Sequence, residues 1–187
     1  MTADNPWKTL SRRTVYDNPW IRVEDHVVLN PAGRQGQYGK ICFKSQAVVI
    51  VALDAESNVY LVGQHRYTLD SYSWELPKGG APLTEDLLTA AQRELREETG
   101  LTAKRWRQLL RVHISNSVTD EAGTLFLAED LKQGQAQPDE TEQLAIKKVP
   151  FGECVEWVHA GKITDVVSVA AILHLASERL AGRASGG

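Results

Sequence analysis

The chain has 187 residues, 42% of them hydrophobic and 24% charged. That length supports a sizeable apolar core, and the balance is that of one globular domain, not of a disordered or fibrous chain. A net charge of −3, with no lysine/arginine cluster interleaved with aromatics, argues against general nucleic-acid binding, and no apolar run approaches membrane-spanning length.

In chain order, the N-terminus MTADNPWKTL shows no signal-peptide pattern. Residues 11–45 read as strands (TVYDNP, WIRVEDHVVL, YGKICFK), with a turn at Asn30-Pro31-Ala32-Gly33. Ala47 to Leu53 is a continuous, mostly β-branched run and reads as a buried strand. Asp54 to Asn58 turns, and Val59 to Gln64 returns. WELPKGG leads into a helix ending near Gly100. Leu109 to Ser115, Leu125 to Ala128 and Ala145 to Val149 read as strands, with a polar loop at Lys132 to Glu142. Phe151 to Ala160 reads as a helix with Cys154, Val155 and Val158 inward, and Asp165 to Ala181 as an amphipathic helix. Strands interrupted by helices in this order give an α+β sandwich, a mixed sheet between helices. Cys42 and Cys154 are too few for a disulfide framework and lack metal spacing, so both read as buried free thiols and the expected location is the cytoplasm.

The helix before Gly100 carries the chemistry. In RELREETG, Glu94, Glu97 and Glu98 stand at i, i+3, i+4 spacing, which places them on one face. Thr84 is the expected N-cap, with Glu85 and Asp86 complementing the dipole in the first turn and Gly100 stopping the helix. Leu87, Leu88, Ala91 and Leu95 form the apolar arc. Glu85, Asp86, Gln92, Arg93 and Arg96 lie opposite. The three glutamates fall at the edge of the apolar arc, so they are partly buried and need a counter-charge. Hard oxygen ligands of this kind suit Mg²⁺ or Mn²⁺.

This stretch resembles the Nudix hydrolase box, G-x5-E-x7-R-E-U-x-E-E-x-G-U with U apolar, at Gly79, Glu85, Arg93, Glu94, Leu95, Glu97, Glu98, Gly100 and Leu101. The resemblance implies the Nudix fold, an α/β/α sandwich, and metal-assisted hydrolysis of a pyrophosphate in a nucleoside diphosphate linked to another group. It implies Glu94 and Glu98 as first metal ligands, Glu97 as a third, and the Lys78 backbone carbonyl as a further one. Arg93 then orients the glutamates through a salt bridge. QHRYTLDSYSWELPKGG resembles the ADP-ribose pyrophosphatase and nucleotide-sugar hydrolase group at Gln64, Arg66, Glu75, Leu76 and Gly79. That makes Arg66 a candidate phosphate clamp, with a surface salt bridge as the plain alternative. Glu75, Gly79 and Gly80 join it as candidate substrate contacts.

PDETEQLAIKKVPFGECVEWVHAGKITDVVSVAAI resembles the C-terminal half of the same group. It implies a loop acid as general base or supplementary ligand, Glu140 first and Glu142 second, with Glu121 a further candidate base. Two departures leave room for nucleotide sugars other than ADP-ribose. Residues 113–121 lack the group's usual proline, and Pro77-Lys78-Gly79-Gly80 replaces P-A-G. Asp120 and Glu121 read either as sugar contacts or as exposed acids. Trp20 and Tyr16 are candidate base-stacking residues, although isolated aromatics on strands read more readily as core. The resemblance also implies a homodimer paired through residues 1–45, a hydrolase domain at 46–182 and a disordered tail at 183–187. Dinucleoside polyphosphate or nucleoside triphosphate hydrolysis is the alternative reaction. A non-catalytic nucleotide-binding regulator is the alternative of another class, but such domains typically lose the ligating glutamates.

Overall fold

The structure is a computed structural model that describes residues 4–135 and 144–184. Three strands open the chain: β1 (Lys8–Asp17), β2 (Ile21–Leu29) and β3 (Gln35–Phe43), an antiparallel meander. The expected turn between β2 and β3 forms. Asn30 Oδ1 accepts from the Ala32 and Arg34 N–H groups at 3.0 Å each, and Gly33 sits at φ 73°, where a side chain is disfavoured. β1 is exposed along its whole length.

The expected buried run becomes β4 (Ser45–Ala52), the middle of the second sheet, ordered β7-β4-β9-β8. Here β7 is Lys78–Pro82, β8 Leu101–His113 and β9 Ala122–Gln133. β4 runs parallel to β9 and antiparallel to β7, so the sheet is mixed. A third sheet, ordered β10-β5-β6, holds β5 (Asn58–Arg66), β6 (Ser71–Glu75) and β10 (Ala145–Pro150).

The period-2 alternation of β4 sorts the core into two layers. Val48, Ile50 and Ala52 pack with Ala90, Ala91 and Leu95 of α1 (Leu87–Thr99). Val49, Val51 and Leu53 face α2 (Phe151–His159) and α3 (Val166–Ala184) through Cys154, Ala171, Ile172 and Leu175. This is the expected α/β/α sandwich, with the antiparallel N-terminal strands appended. Both cysteines are free and buried. Among the described residues, no helix is long and apolar enough to cross a membrane.

Several local expectations are corrected. Asp86, not Thr84, is the N-cap of α1: its Oδ2 accepts from the Thr89 N–H at 2.9 Å and from the Thr89 hydroxyl at 3.0 Å. The first turn therefore contains no acid, and Glu85 lies outside the helix. WELPKGG, which the sequence assigns to no element, supplies the end of β6 and the start of β7. β8 begins at Leu101, well before Leu109, and β9 takes in Lys132 and Gln133. Trp20 and Tyr16 are not core: they are 71% and 54% exposed.

Candidate active site

The site is built where α1 lies across the start of β7. Arg93 holds it together with all five of its N–H groups. Nε and Nη2 bind the Glu85 carboxylate at 3.3 and 3.1 Å, and Nη2 also reaches the Gly80 carbonyl at 3.0 Å. Nη1 binds Glu94 Oε1 at 2.8 Å and Glu97 Oε2 at 3.0 Å. The hydrogen bonds that Arg93 donates to Glu85, then those to Glu94 and Glu97, push its pKa above the ordinary value despite some burial. Arg93 therefore orients the glutamates, as expected, and Glu85 anchors Arg93.

Glu98 points the other way, into the protein, and is 2% exposed. Its Oε2 accepts the Lys78 N–H at 3.0 Å, which ties α1 to the first residue of β7. Gly79 follows at once. A Cβ there would overlap the Glu94 carboxylate, so the missing side chain is what lets Glu94 lie on the strand. At Gly80 a Cβ would come 3.2 Å from Ser45 Oγ, a tighter fit than usual. The Glu94 carboxylate lies against Gly79 and the Glu98 carboxylate binds the neighbouring Lys78 N–H, so both border the start of β7, and oxygen donors of this kind suit a hard divalent cation. Among the described residues, no three acidic, histidine or cysteine side chains already stand grouped as a ready ligand set.

A second network lies beyond Lys78. The Arg66 Nε donates to Glu75 Oε1 at 3.0 Å, and Nη2 bonds Glu75 Oε2. Lys78 Nζ lies 3.0 Å from that same Oε2 and also pairs with Asp165 Oδ1. Asp165 Oδ2 accepts from the Ser168 N–H at 3.0 Å and the Ser168 hydroxyl at 2.6 Å, while Ser168 Oγ accepts the Leu76 N–H at 3.0 Å. Burial opposes ionisation of Glu75, but hydrogen bonds from Arg66 and the Lys78 charge outweigh it and hold its pKa at about 2. Arg66 is raised in turn, chiefly by its hydrogen bonds to Glu75.

Two clefts flank Gly79–Gly80. One, of about 550 Å³, is lined by Lys44, Arg93, Glu94 and Glu97. The other, of about 410 Å³, is lined by Phe43, Arg66, Lys78, Ile114, Glu121 and Asp165. Trp20, Ser45, Gly79 and Gly80 line both, so the two are contiguous and the exposed indole stands at their shared rim. The candidates Arg66, Lys78, Gly79, Gly80, Glu94, Glu97 and Trp20 are thus brought to one region, with Glu75 and Glu98 buried behind it. Glu140 and Glu142 lie outside the described residues.

The acids before β9 separate. Asp120 is a structural link: it accepts the Phe43 N–H at 2.8 Å and pairs with Lys40 at 2.8 Å. Glu121 lines the cleft, and burial pushes its pKa up. Sequence reasoning passed over Asp165 and the Lys78 side chain. An aspartate just before an apolar helix was a readable cap signal. The Lys78 ammonium was not readable, because its partner Asp165 is 87 positions away.

The match to known proteins agrees with this geometry. The family model described as the NUDIX domain matches residues 44–168. The chain belongs to the Nudix family. Residues 7–41 match the nucleoside diphosphate sugar hydrolase N-terminal domain, so the N-terminal meander is also a family feature. The chain is 30% identical to an ADP-ribose pyrophosphatase of Mycobacterium tuberculosis, over 91% of this chain and 84% of that one. It is 28% identical to an ADP-ribose pyrophosphatase of Bacillus subtilis, over 90% and 91%. It is 26% identical to a CMP-5'-(N-acetyl-N-hydroxy-3-aminopropyl)phosphonate hydrolase of Streptomyces rubellomurinus, over 92% and 85%. A solved structure of an ADP compounds hydrolase superposes with a TM-score of 0.85 at 22% identity, covering 98% of each chain, and so shares the fold.

Proposed function

We propose that this Nudix protein hydrolyses ADP-ribose or other nucleoside diphosphate sugars to a nucleoside monophosphate and a sugar phosphate, with Mg²⁺ or Mn²⁺ as cofactor. The observation that carries this reading is the meeting of Glu94, Glu98 and the Lys78–Gly79 backbone over a glycine, between two contiguous clefts. A pyrophosphate seated there places one flanking group in each cleft. The similarity to ADP-ribose pyrophosphatases over nine-tenths of the chain supports the substrate class.

In this reading Glu94 and Glu98 hold the cation, with Glu97 and the Lys78 carbonyl beside them. A cation held there would supply charge neutralisation for non-bridging phosphate oxygens and a water of lowered pKa. Arg93 fixes Glu94 and Glu97 before substrate arrives, and such preorganisation supplies much of the acceleration in phosphoryl and pyrophosphoryl transfer. Arg66 clamps a phosphate oxygen while Glu75 orients it. Gly79 and Gly80 let the substrate approach the β7 backbone. Trp20 stacks on a base or caps the cleft. Glu140 takes the proton of the attacking water, with Glu142 as supplementary ligand.

The exposed β1, with Leu10, Val15 and Tyr16 and the preceding Trp7 all solvent-exposed, supports pairing of two copies through the N-terminal sheet. Two reduced, buried cysteines suit a cytoplasmic setting. The deciding experiment is a hydrolysis panel with Mg²⁺: ADP-ribose, several nucleotide sugars, a dinucleoside polyphosphate and nucleoside triphosphates. Turnover of ADP-ribose or a nucleotide sugar is expected. Turnover of the triphosphates alone overturns the substrate class, and no turnover at all overturns the enzyme.

A further inference from the structure

We propose that Lys78 is a positioning residue that frees Arg66 from Glu75 to grip the substrate's diphosphate. The inference rests on the diphosphate reading above. Glu75 is buried and cannot be left without a cation, since an uncompensated buried charge is strongly unfavourable. Two cations share its Oε2: Arg66 through Nη2, and Lys78 at 3.0 Å. Like charges on one oxygen repel each other, and one of them is enough to keep the carboxylate paired.

The two are not equally held. Lys78 has a second anchor, Asp165, which is itself fixed at the start of α3 by Ser168. Arg66 has the Glu75 carboxylate alone among the described residues. Its side chain is the more exposed of the pair, 33% against 19%, and it lines the cleft. An arriving diphosphate offers Arg66 the same bidentate geometry it already has with Glu75. Arg66 transfers to it, and Lys78 stays behind as the counter-ion of Glu75. Lys78 thus acts on affinity through Arg66.

The test is a double-mutant cycle read by calorimetry with α,β-methylene-ADP, whose P–C–P bridge resists hydrolysis. Lys78→Met is expected to weaken binding roughly tenfold, and Lys78→Arg to restore most of it. In a Glu75→Gln background there is no carboxylate at position 75 to hold Arg66 or to need a counter-ion, so Lys78→Met is expected to add no further loss. An equal loss in both backgrounds overturns the proposal, as does no loss in the first. Should Lys78→Met melt too low to assay, Lys78→Gln carries the same comparison. The readout does not depend on turnover. A wild-type protein that binds the analogue yet hydrolyses no nucleotide sugar sinks the proposed function and leaves this inference standing. A wild-type protein that fails to bind the analogue overturns the inference.

Discussion

Gly79→Ala tests the site by its most economical change, one methyl group. The Cβ would fall on the Glu94 carboxylate. The strand cannot back away, because Gly79 pairs with Val48 of the central strand, which is fully buried. Glu94 must therefore turn aside and give up its 2.8 Å bond to Arg93. Overpacking of this kind costs about 1–3 kcal/mol. In a domain of this size each kcal/mol moves Tm by about 2–4 °C, so the melt should fall by roughly 2–12 °C. The rate should fall much further, on the order of 10²-fold, because misplacing a positioned group by about 1 Å has that effect. The assays are a thermal melt, kcat, and the Mg²⁺ concentration giving half-maximal rate, which should rise. Gly152→Ala is the control: nothing lies within 4 Å of its Cβ, and as a helical glycine it should become slightly more stable. Gly79→Ala turning over within about threefold of wild type, at the same Mg²⁺ requirement, would refute the placement of Glu94 in the cation site.

Glu98→Gln keeps an oxygen for the Lys78 N–H but removes the charge, so steady-state turnover should drop on the order of 10²–10³-fold with little change in Tm. Glu140→Gln should lower kcat by about 10²–10⁴-fold with KM nearly unchanged; if Glu142→Gln gives that loss instead, the base is Glu142. Glu75 has a folded pKa of about 2 against an ordinary 4.5, so its stabilisation is fully present above pH 4.5 and is lost as pH falls toward 2. That difference is worth roughly 3 kcal/mol, and Glu75→Gln should flatten the acid limb of a Tm-versus-pH curve; parallel limbs for the two proteins would contradict it. Glu121 shows the opposite sign: its raised pKa means the folded state loses stability as pH rises through the carboxylate range. Glu121→Gln should raise Tm at pH 7, by about 2–4 °C per kcal/mol relieved, while raising KM for nucleotide sugars. A lowered Tm would show that the carboxylate has a stabilising partner.

The binding of the glutamates by Arg93 was legible only through the resemblance to the Nudix box, whereas the box helix and its cap at Gly100 and the central strand were legible because each follows from residue type at short spacing. The edge position of the three glutamates was legible for the same reason: a helical wheel places Glu98 beside Ala91, and both are buried. β6 and β7 were not. Lys-Gly-Gly-Ala-Pro has the composition of a turn, and it is extended only because β4 supplies the partner and Glu94 needs bare backbone beneath it. Thr84 and Asp86 are both cap types two residues apart, and only the Thr89 contacts separate them. The exposure of Trp20 depends on how the first meander meets the rest of the fold. Contacts such as the Ile41 N–H on the Val118 carbonyl, at 2.9 Å, set that arrangement, and no local spacing encodes them.

In the proposed reading, chemistry and recognition occupy different parts of this fold. The acids sit on one helix and the stretch just before it, and Arg93 cross-locks Glu85, Glu94 and Glu97, so a change there disturbs several groups at once. The cleft on the Arg66 side draws on many elements instead. Trp20 comes from the β1–β2 turn, Phe43 from the end of β3, Arg66 from β5, Ile114 and Glu121 from the β8–β9 connection, and Asp165 from the start of α3. Each of these can change without moving Glu94 or Glu98. It follows that substitutions at Trp20 or Ile114 should exchange one nucleotide sugar for another at similar kcat, whereas substitutions on the inner face of α1 should lower kcat for every substrate alike.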